Sequence, residues 1–252
     1  MKAERRDQIV DLITRQRTVN NAELMERFDI SIETVRRDLE YLEQQGVLRR
    51  VYGGAVVNMS LSSEPEYGSR SQANPQQKNA IAREAASLIQ PGDAVYLGVG
   101  TTVQAMAQHM KNIGPITVFT NALRTAVELS DIPGCTVILP GGQLRSKELT
   151  LSGFPAEENF ANFNVDKAFI GIGGITEEGV TDFHIGEARV HRQLMQNARQ
   201  SIVLADASKM GVRGMNNVCG LDRIDLVITD SESPKPMIKA LEKAGVKVIV
   251  AK

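Results

Sequence analysis

Glycine and hydroxyl residues follow the first long apolar run after residue 78, in the order Gly98-Val99-Gly100-Thr101-Thr102. Glycine lets a backbone turn tightly after a strand, and the hydroxyls and free amides at the start of a helix can hold an anion such as phosphate. The segment lacks the Gly-Lys-Ser/Thr ending of a Walker loop and the third glycine of a dinucleotide-binding fingerprint. It predicts a candidate anion site, with a plain turn as the alternative.

Four later apolar runs end in polar or glycine-rich segments of the same kind. They are Thr120-Asn121, Gly141-Gly142 followed by Arg145, Gly171-Ile172-Gly173-Gly174, and Asp206-Ala207-Ser208-Lys209. Ligands of open parallel sheets bind outside the carboxyl ends of the strands, so these segments could converge on one crevice.

The charged and amide side chains of these segments suit a phosphorylated sugar. Arg145 and Lys209 could offer positive charge to a phosphate. Asn121, Asp182 and Glu187 could hydrogen-bond sugar hydroxyls. A structural role stays open, since Asn121 could cap a helix, Glu187 could lie in a solvated first turn and Arg145 could pair with a nearby acid. The predicted ligand-binding residues are Gly100, Thr101, Thr102, Thr120, Asn121, Gly141, Gly142, Arg145, Asp182, Glu187 and Lys209.

A second group of residues near the N-terminus could contact DNA. Val35, Leu39 and Leu42 recur at i, i+4 and i+7, which predicts a helix with one buried stripe. Steps of 100° then place Arg37 nearly opposite the stripe and Arg36 on its flank. In a helix-turn-helix the first residues of the second helix reach base edges, where Ser, Thr and Arg can form hydrogen bonds.

The preceding and following elements complete a winged helix-turn-helix. We predict a helix over residues 3–17, a second helix after a capping box formed by Asn20 and Glu23, and a third helix capped by Ser31 and stopped at Gly46. Two β-prone runs, residues 47–52 and 55–57, flank the pair Gly53-Gly54 and predict a hairpin. Its basic and aromatic side chains could hold phosphates. The predicted DNA-binding residues are Ser31, Ile32, Glu33, Thr34, Arg36, Arg37, Arg49, Arg50 and Tyr52.

A solvated, charged three-helix domain is the alternative for this region. Residues 1–57 hold ten Lys and Arg and ten Asp and Glu, and the whole chain has a net charge of −1. Any contact with DNA must therefore come from local placement of basic side chains rather than from overall charge.

The order of the elements predicts an α/β chain, in which an N-terminal winged helix-turn-helix domain is joined to a C-terminal, mostly parallel α/β domain. We expect the first domain over residues 1–57, a linker without packed elements over 58–77, and the second domain over 78–252. Apolar runs predict strands at 94–97, 117–120, 136–139, 168–170, 202–205, 226–229 and 246–250, with crossover helices at 78–89, 103–110 and 188–198.

Composition excludes several classes of protein. No apolar window approaches 18 residues and the first ten residues are crossed by charges, so we expect neither a membrane span nor a signal peptide, and a cytoplasmic location. Cys135 and Cys219 have no partner at metal-ligand spacing, and we interpret both as small core residues. We expect no metal and no cofactor.

The N-terminal pattern resembles the signature of the DeoR family of bacterial transcriptional repressors. The resemblance rests on Arg6, Ile9, Ile13 and the run Ser31-Ile32-Glu33-Thr34-Val35-Arg36-Arg37-Asp38-Leu39. It continues through Gly46, Leu48, Arg50 and Gly53-Gly54-Ala55, and then through most of the C-terminal part.

This resemblance implies a repressor of a carbohydrate-utilisation operon that binds operator DNA. Its C-terminal domain would be similar to ribose-phosphate isomerases and would bind a phosphorylated sugar or polyol that relieves repression. The family is usually oligomeric, which implies a dimer or tetramer. Three positions depart from the family pattern: Gly98 and Thr176 stand where many members have Asp, and Met210 stands where many have an aromatic residue.

A sugar-phosphate isomerase with an accessory N-terminal domain is the alternative function. Such chemistry needs a carboxylate as general base, for which Asp182, Glu187 and Asp206 are candidates. No motif defines their geometry. We therefore expect no catalytic residues and a regulator rather than an enzyme.

Overall fold

The N-terminal part of the computed structural model is a compact set of helices. The structure describes residues 2–16, 18–51, 53–57, 61 and 64–252. Its first elements are α1 (Lys2–Gln16), α2 (Asn21–Phe28) and α3 (Ile32–Gln44). As predicted, Asn20 Oδ1 accepts a hydrogen bond from the backbone N–H of Glu23 at 2.7 Å, and Ser31 Oγ accepts one from that of Thr34 at 3.4 Å.

A three-stranded antiparallel sheet follows the helices and includes one strand that the sequence analysis missed. The predicted hairpin consists of β2 (Leu48–Val51) and β3 (Gly54–Val57), and we call it the wing. A short strand, β1 (Thr18–Asn20), pairs with β3 on its other side. A Cβ on Gly54 would lie 1.9 Å from the carbonyl oxygen of Val19, so the pairing requires glycine there. Three residues are too few to show a strand pattern.

The segment predicted to be an unpacked linker contains packed elements, so that expectation is corrected. Helix α4 (Tyr67–Gln72) lies within it, and α5 (Pro75–Ser87) begins within it. Arg70 pairs with Glu64 at 3.1 Å and with Glu148. These charged contacts carry no apolar periodicity, which is why the sequence did not reveal them. The domain boundaries themselves stay a prediction.

The C-terminal part contains the remaining helices and strands. Its helices are α6 (Thr101–Met106), α7 (Leu123–Ser130), α8 (Phe154–Ala161), α9 (Ile185–Gln196) and α10 (Lys235–Lys243). Its strands are β4 (Ala94–Leu97), β5 (Ile116–Thr120), β6 (Cys135–Ile138), β7 (Gln143–Arg145), β8 (Thr150–Ser152), β9 (Val165–Gly171), β10 (Gly174–Thr176), β11 (Gly179–Asp182), β12 (Ala198–Leu204), β13 (Asn216–Cys219), β14 (Leu226–Asp230) and β15 (Lys247–Ala251). Single 3-10 turns lie at Ala107–His109, Ala207–Lys209 and Leu221–Arg223.

Seven of these strands form one parallel sheet, in the order β15-β14-β12-β9-β4-β5-β6. They are the seven strands that the apolar runs predicted, so the α/β class is confirmed. The chain starts at β4, moves outward to β6, returns to β9 beside β4 and then moves outward to β15. The order therefore reverses between β4 and β9, the position where open α/β sheets bind ligands.

Helices cover both faces of the sheet. Side chains such as Val95, Leu97 and Phe169 pack with α5, α6 and α7 on one face. Tyr96 and Phe160 belong to the core on the other face, with residues of α8, α9 and α10. Two smaller antiparallel sheets, β7-β8 and β10-β11-β13, lie beside the main sheet and were not predicted.

The two cysteines lie at the margins of these cores. Cys135 and Cys219 are unpaired and only partly buried, so the interpretation of both as core residues holds in part. Among the residues described, no helix combines the length and apolar composition needed to cross a membrane.

A buried carboxylate ties α1 to α3. Asp38 is 1% exposed and accepts hydrogen bonds from Arg5 Nε and Arg6 Nε, both at 2.7 Å. We expect Asp38→Ala to lower the free energy of opening of this domain by about 1–3 kcal/mol, because it removes charge-assisted hydrogen bonds. Amide hydrogen exchange of α1 and α3 measures this. The exposed Glu40→Ala on the same helix is the control, and an equal loss in both variants would contradict the assignment.

Candidate nucleic-acid interface and ligand cavity

The loops after β4 and β9 touch each other through their backbones. A Cβ on Gly171 would lie 2.2 Å from the carbonyl oxygen of Val99, so only glycine fits there. The backbone N–H of Gly98 donates to the carbonyl of Phe169 at 2.9 Å. Gly100 has a φ of +121°, a conformation that side chains rarely adopt. Gly171 is therefore required for this contact, and Gly100 is required by the backbone conformation of the predicted anion segment.

Glycine at residue 98, where many members of the family have Asp, is explained by the space around it. A Cβ at this position would lie 3.0 Å from Nε2 of His191, which is fully buried. The same Nε2 accepts a hydrogen bond from the backbone N–H of Val99 at 3.4 Å. Burial lowers the pKa of His191 to about 4, so the ring is neutral near pH 7. An aspartate at residue 98 would need the space that this imidazole fills.

A cavity of about 430 Å³ opens above this contact, at the reversal point of the sheet. We call it the ligand cavity. The loops after β4, β9 and β12 supply part of its wall, and residues 65–78 and Gln16 at the end of α1 supply other parts. Its polar lining includes Gln16, Arg70, Lys78, Gly100, Thr101, Thr102, Asp206, Ser208 and Lys209.

The ligand cavity is rich in cationic groups that lack full solvation. Burial lowers the pKa of Lys78 to about 8, although the charge of Asp206 opposes that shift. Burial also lowers the pKa of Lys209. The Lys78 ammonium donates to the carbonyl oxygens of Arg70 and of Ala73, the latter at 2.6 Å. A bound anion would favour the charged form of both lysines.

A small acidic recess of about 20 Å³ adjoins the ligand cavity and shares Arg70, Gly100 and Lys209 with it. Its carboxylates are Glu64, Asp182 and Glu187. Burial, reinforced by the charge of Glu187, raises the pKa of Asp182 to about 7. Burial also raises the pKa of Glu187, which accepts hydrogen bonds from Thr150 Oγ1 at 2.7 Å and Arg145 Nη1 at 3.1 Å. Carboxyl groups in such a recess can bind hydroxyls.

The structure brings together most of the predicted ligand-binding residues. Gly100, Thr101, Thr102 and Lys209 line the ligand cavity, and Asp182 and Glu187 line the acidic recess. Arg145 lies behind the recess, where Nη2 also pairs with Glu64 at 2.5 Å.

Besides Arg145, four predicted residues lie outside both linings, so the expected convergence was too broad. Asn121 is buried, where Oδ1 accepts from the Tyr96 hydroxyl at 2.9 Å and Nδ2 donates to the carbonyl of Leu151 at 3.0 Å. Thr120 Oγ1 accepts from a backbone N–H at 3.1 Å. Gly141 and Gly142 lie exposed beyond β6, at the edge of the sheet.

Glu64, Arg70 and Lys78 were not predicted to line a cavity, because they belong to the segment predicted to be a linker or to its border. Asp206 was predicted to belong to a polar segment at the crevice and was a candidate catalytic base, but it was not among the predicted ligand-binding residues. Asp206 is 1% exposed, and its Oδ2 has no hydrogen-bond partner among the described residues. The signal that the sequence offered for a cavity here was a pair of basic residues, Arg70 and Lys78, on either side of Asn74-Pro75.

Helix α3, which is predicted to contact the DNA bases, presents a polar face to solvent. Ser31, Glu33, Arg36 and Arg37 are exposed, and Ile32 and Thr34 are half-buried. The acidic Asp38 lies on the inner side of α3 and is neutralised there. Asp38 is therefore not one of the solvent-facing charges of α3, which weakens the alternative of a solvated helix without a role in DNA binding.

The wing arginines have partners within the protein. The backbone N–H and Nε of Arg50 donate to the two carboxylate oxygens of Glu43, each at 2.7 Å. Arg49 Nη2 donates to the carbonyl oxygen of Gly211 at 2.6 Å. Tyr52 lies outside the described residues. A groove of about 580 Å³ separates α3 from the wing, with Arg36 and Arg50 in its lining. The assignment of these side chains to DNA stays a prediction.

Two family models match the chain in the order of its two parts. Residues 5–61 match the DeoR-like helix-turn-helix domain, and residues 73–231 match the DeoR C terminal sensor domain.

Relatives match nearly the whole chain. It is 35% identical to the HTH-type transcriptional regulator GolR of Listeria innocua, with 98% of both chains covered. It is 37% identical to the HTH-type transcriptional repressor GlcR of Bacillus subtilis, with 98% of this chain and 95% of the relative covered. It is 31% identical to the glycerol-3-phosphate regulon repressor of Escherichia coli, with 95% of both covered.

The raised pKa of Asp182 predicts a pH-dependent effect on stability. Its folded pKa of about 7 exceeds the ordinary 3.8, so the stabilising proton is present at low pH and lost as the pH rises through about 7. Asn cannot ionise, and Asp182→Asn should therefore raise the melting temperature more at pH 8 than at pH 5.

Differential scanning calorimetry of both proteins at the two pH values measures this difference. Asp131→Asn, which changes an exposed carboxylate, is the control and should show no such difference. An equal effect of Asp182→Asn at both pH values would contradict the assignment.

Proposed function

The chain belongs to the DeoR family of transcriptional regulators, and from that premise we propose that it represses a carbohydrate-utilisation operon under the control of a phosphorylated sugar or polyol. The observation that carries the proposal is the ligand cavity, where undersolvated cations meet an acidic recess. The winged helix-turn-helix would bind operator DNA, and the ligand would release or modulate that binding.

The chemistry of the ligand cavity supports a phosphorylated ligand. Lys78 and Lys209 supply positive charge that a phosphate would neutralise, and Arg70, which is paired with Glu64 and Glu148, lies in the same lining. The acidic recess has room for about one hydroxyl of a sugar or polyol and supplies carboxyl groups for it. A volume of about 430 Å³ suits a small ligand of this kind. The name of one relative refers to glycerol-3-phosphate, which supports the same class.

The exposed face of α3 supports operator binding. Arg36 and Arg37 project from the helix that follows the turn, next to the capped first turn. Arg can form a bidentate pair with guanine in the major groove. The placement of Asp38 between Arg5 and Arg6 keeps a negative charge away from that face.

Regulation is better supported than catalysis. The relatives that match along nearly the whole chain are named as regulators or repressors. The carboxylate of Glu187, one candidate base, is engaged by Thr150 and Arg145. We infer that the chain is not a sugar-phosphate isomerase.

A homo-oligomer, a dimer or tetramer, completes the proposal. Helix-turn-helix proteins bind paired half-sites through two-fold symmetry. Leu144, Phe154 and Ile185 are 48%, 72% and 52% exposed, and a contact between subunits would cover such apolar side chains.

Arg37→Ala tests the role of α3. If Arg37 reads a base, the variant should lose about 1–3 kcal/mol of binding to an operator selected from random duplexes, with little change on unselected DNA. Arg50→Ala should weaken both DNAs similarly if Arg50 holds a phosphate. Fluorescence anisotropy at constant salt measures the affinities, with Arg189→Ala on α9 as control. Unchanged operator affinity would remove Arg37 from the readout.

Lys209→Ala tests the ligand cavity. We expect one member of a panel of sugar and polyol phosphates, but not its unphosphorylated parent, to raise the melting temperature of the wild type, because it binds only the folded state. Lys209→Ala should lose this shift and keep its DNA affinity, while the exposed Lys239→Ala should keep both. A normal shift in Lys209→Ala would contradict its assignment. Turnover of any panel member by the pure protein would contradict the regulatory role.

A further inference from the structure

The loop after β12 is shared by the ligand cavity and the wing. Lys209 in this loop lines the ligand cavity. Two residues later, the carbonyl oxygen of Gly211 accepts the 2.6 Å hydrogen bond from Arg49 Nη2. Arg49 lies in β2, 162 residues earlier in the chain. This bond is charge-assisted and therefore among the stronger kinds of hydrogen bond.

The loop is held from both sides at Gly211. Its backbone N–H donates to the carbonyl of Ile175 in β10 at 2.8 Å, while its carbonyl accepts from Arg49. Gly211 has a φ of +76°, and a Cβ there would lie 3.2 Å from Cγ1 of Val51. Met210, which lies between Lys209 and Gly211 in the chain, is 2% exposed. These contacts restrict the loop, so a displacement of Lys209 would also displace Gly211 and, through Arg49, the wing.

The N-terminal domain also borders the ligand cavity directly. Gln16, the last residue of α1, lies in its lining together with Lys209. A second cleft of about 380 Å³ has Arg49 and Val56 on one side and Phe183 and Lys209 on the other. Lys209 thus faces both the predicted ligand and the wing.

We propose that residues 207–213 couple the ligand cavity to the wing, and that a phosphorylated ligand strengthens the attachment of Arg49 to Gly211. This coupling rests on the proposed function for the identity of the ligand. In the attached arrangement one N–H of Arg49 Nη2 is donated to Gly211, so the guanidinium is held against the C-terminal domain instead of being free to follow a DNA phosphate. Arg50 differs, because its partner Glu43 belongs to the same domain.

The coupling has a reciprocal consequence. A ligand that favours the attached wing weakens DNA binding, and DNA must weaken ligand binding by the same factor. A ligand with equal affinity for the attached and the released wing would change nothing. The attachment through Arg49 supplies the structural difference between these two states.

Amide hydrogen exchange of the full chain without ligand tests the attachment. We expect Arg49→Met to accelerate exchange about tenfold in residues 48–51 and 211–213, since one charge-assisted bond holds both segments. Gly211→Ala, which must push Val51 away, should accelerate the same segments. Arg50→Met is the matched control and should leave residues 211–213 unchanged. Unchanged exchange in Arg49→Met and Gly211→Ala would overturn the proposal.

Inorganic phosphate, compared with chloride at equal ionic strength, tests the dependence on ligand. In the wild type, phosphate should slow exchange in residues 100–102 and also in 48–51 and 211–213. In Arg49→Met, slowing should be confined to residues 100–102. Slowing that never reaches the wing of the wild type would overturn the coupling and leave the ligand site intact. Absence of slowing in residues 100–102 would instead contradict the proposed ligand site, and the coupling to ligand with it.

Discussion

The close contact between the loops after β4 and β9 is the constraint on which the rest of the structure depends. The carbonyl oxygen of Val99 occupies the space that a side chain at residue 171 would need. Because the two strands are neighbours where the strand order reverses, their loops diverge above this contact and leave a crevice. The buried ring of His191 supports the contact from below through the N–H of Val99. The ligand cavity is the space above these loops.

Ion pairs between distant segments surround the acidic recess beside the ligand cavity. Arg70 joins Glu64 and Glu148, and Arg145 joins Glu64 and Glu187. These contacts connect the helix α4 with the β7-β8 hairpin and with the start of α9. Their burial keeps charged groups close together in a medium that solvates them poorly, which explains the shifted pKa values on both sides of the cavity. The same polarity suits a ligand with an anionic and a hydroxylated end.

The N-terminal domain is part of this arrangement and not an independent appendage. Its α1 reaches the ligand cavity through Gln16, and its wing reaches the loop after β12 through Arg49. Within the domain, Asp38 and Glu43 engage the arginines Arg5, Arg6 and Arg50. Two of the acidic residues that make the domain neutral by composition are thereby turned inward or paired, and Arg36 and Arg37 stay exposed on α3.

The sequence by itself determined the elements whose signals are local. Continuous apolar runs predicted the seven parallel strands, and caps such as Asn20 and Ser31 predicted the helices, because periodicity and capping depend on residues a few positions apart. Only the tertiary structure decided which polar groups meet. In the folded chain Asn121 is hydrogen-bonded to Tyr96 in the core, and Arg49 is hydrogen-bonded to Gly211. Arg70 and Lys78 line the ligand cavity. These contacts span tens of residues or more and depend on how strands are ordered and where loops cross, which no local pattern encodes.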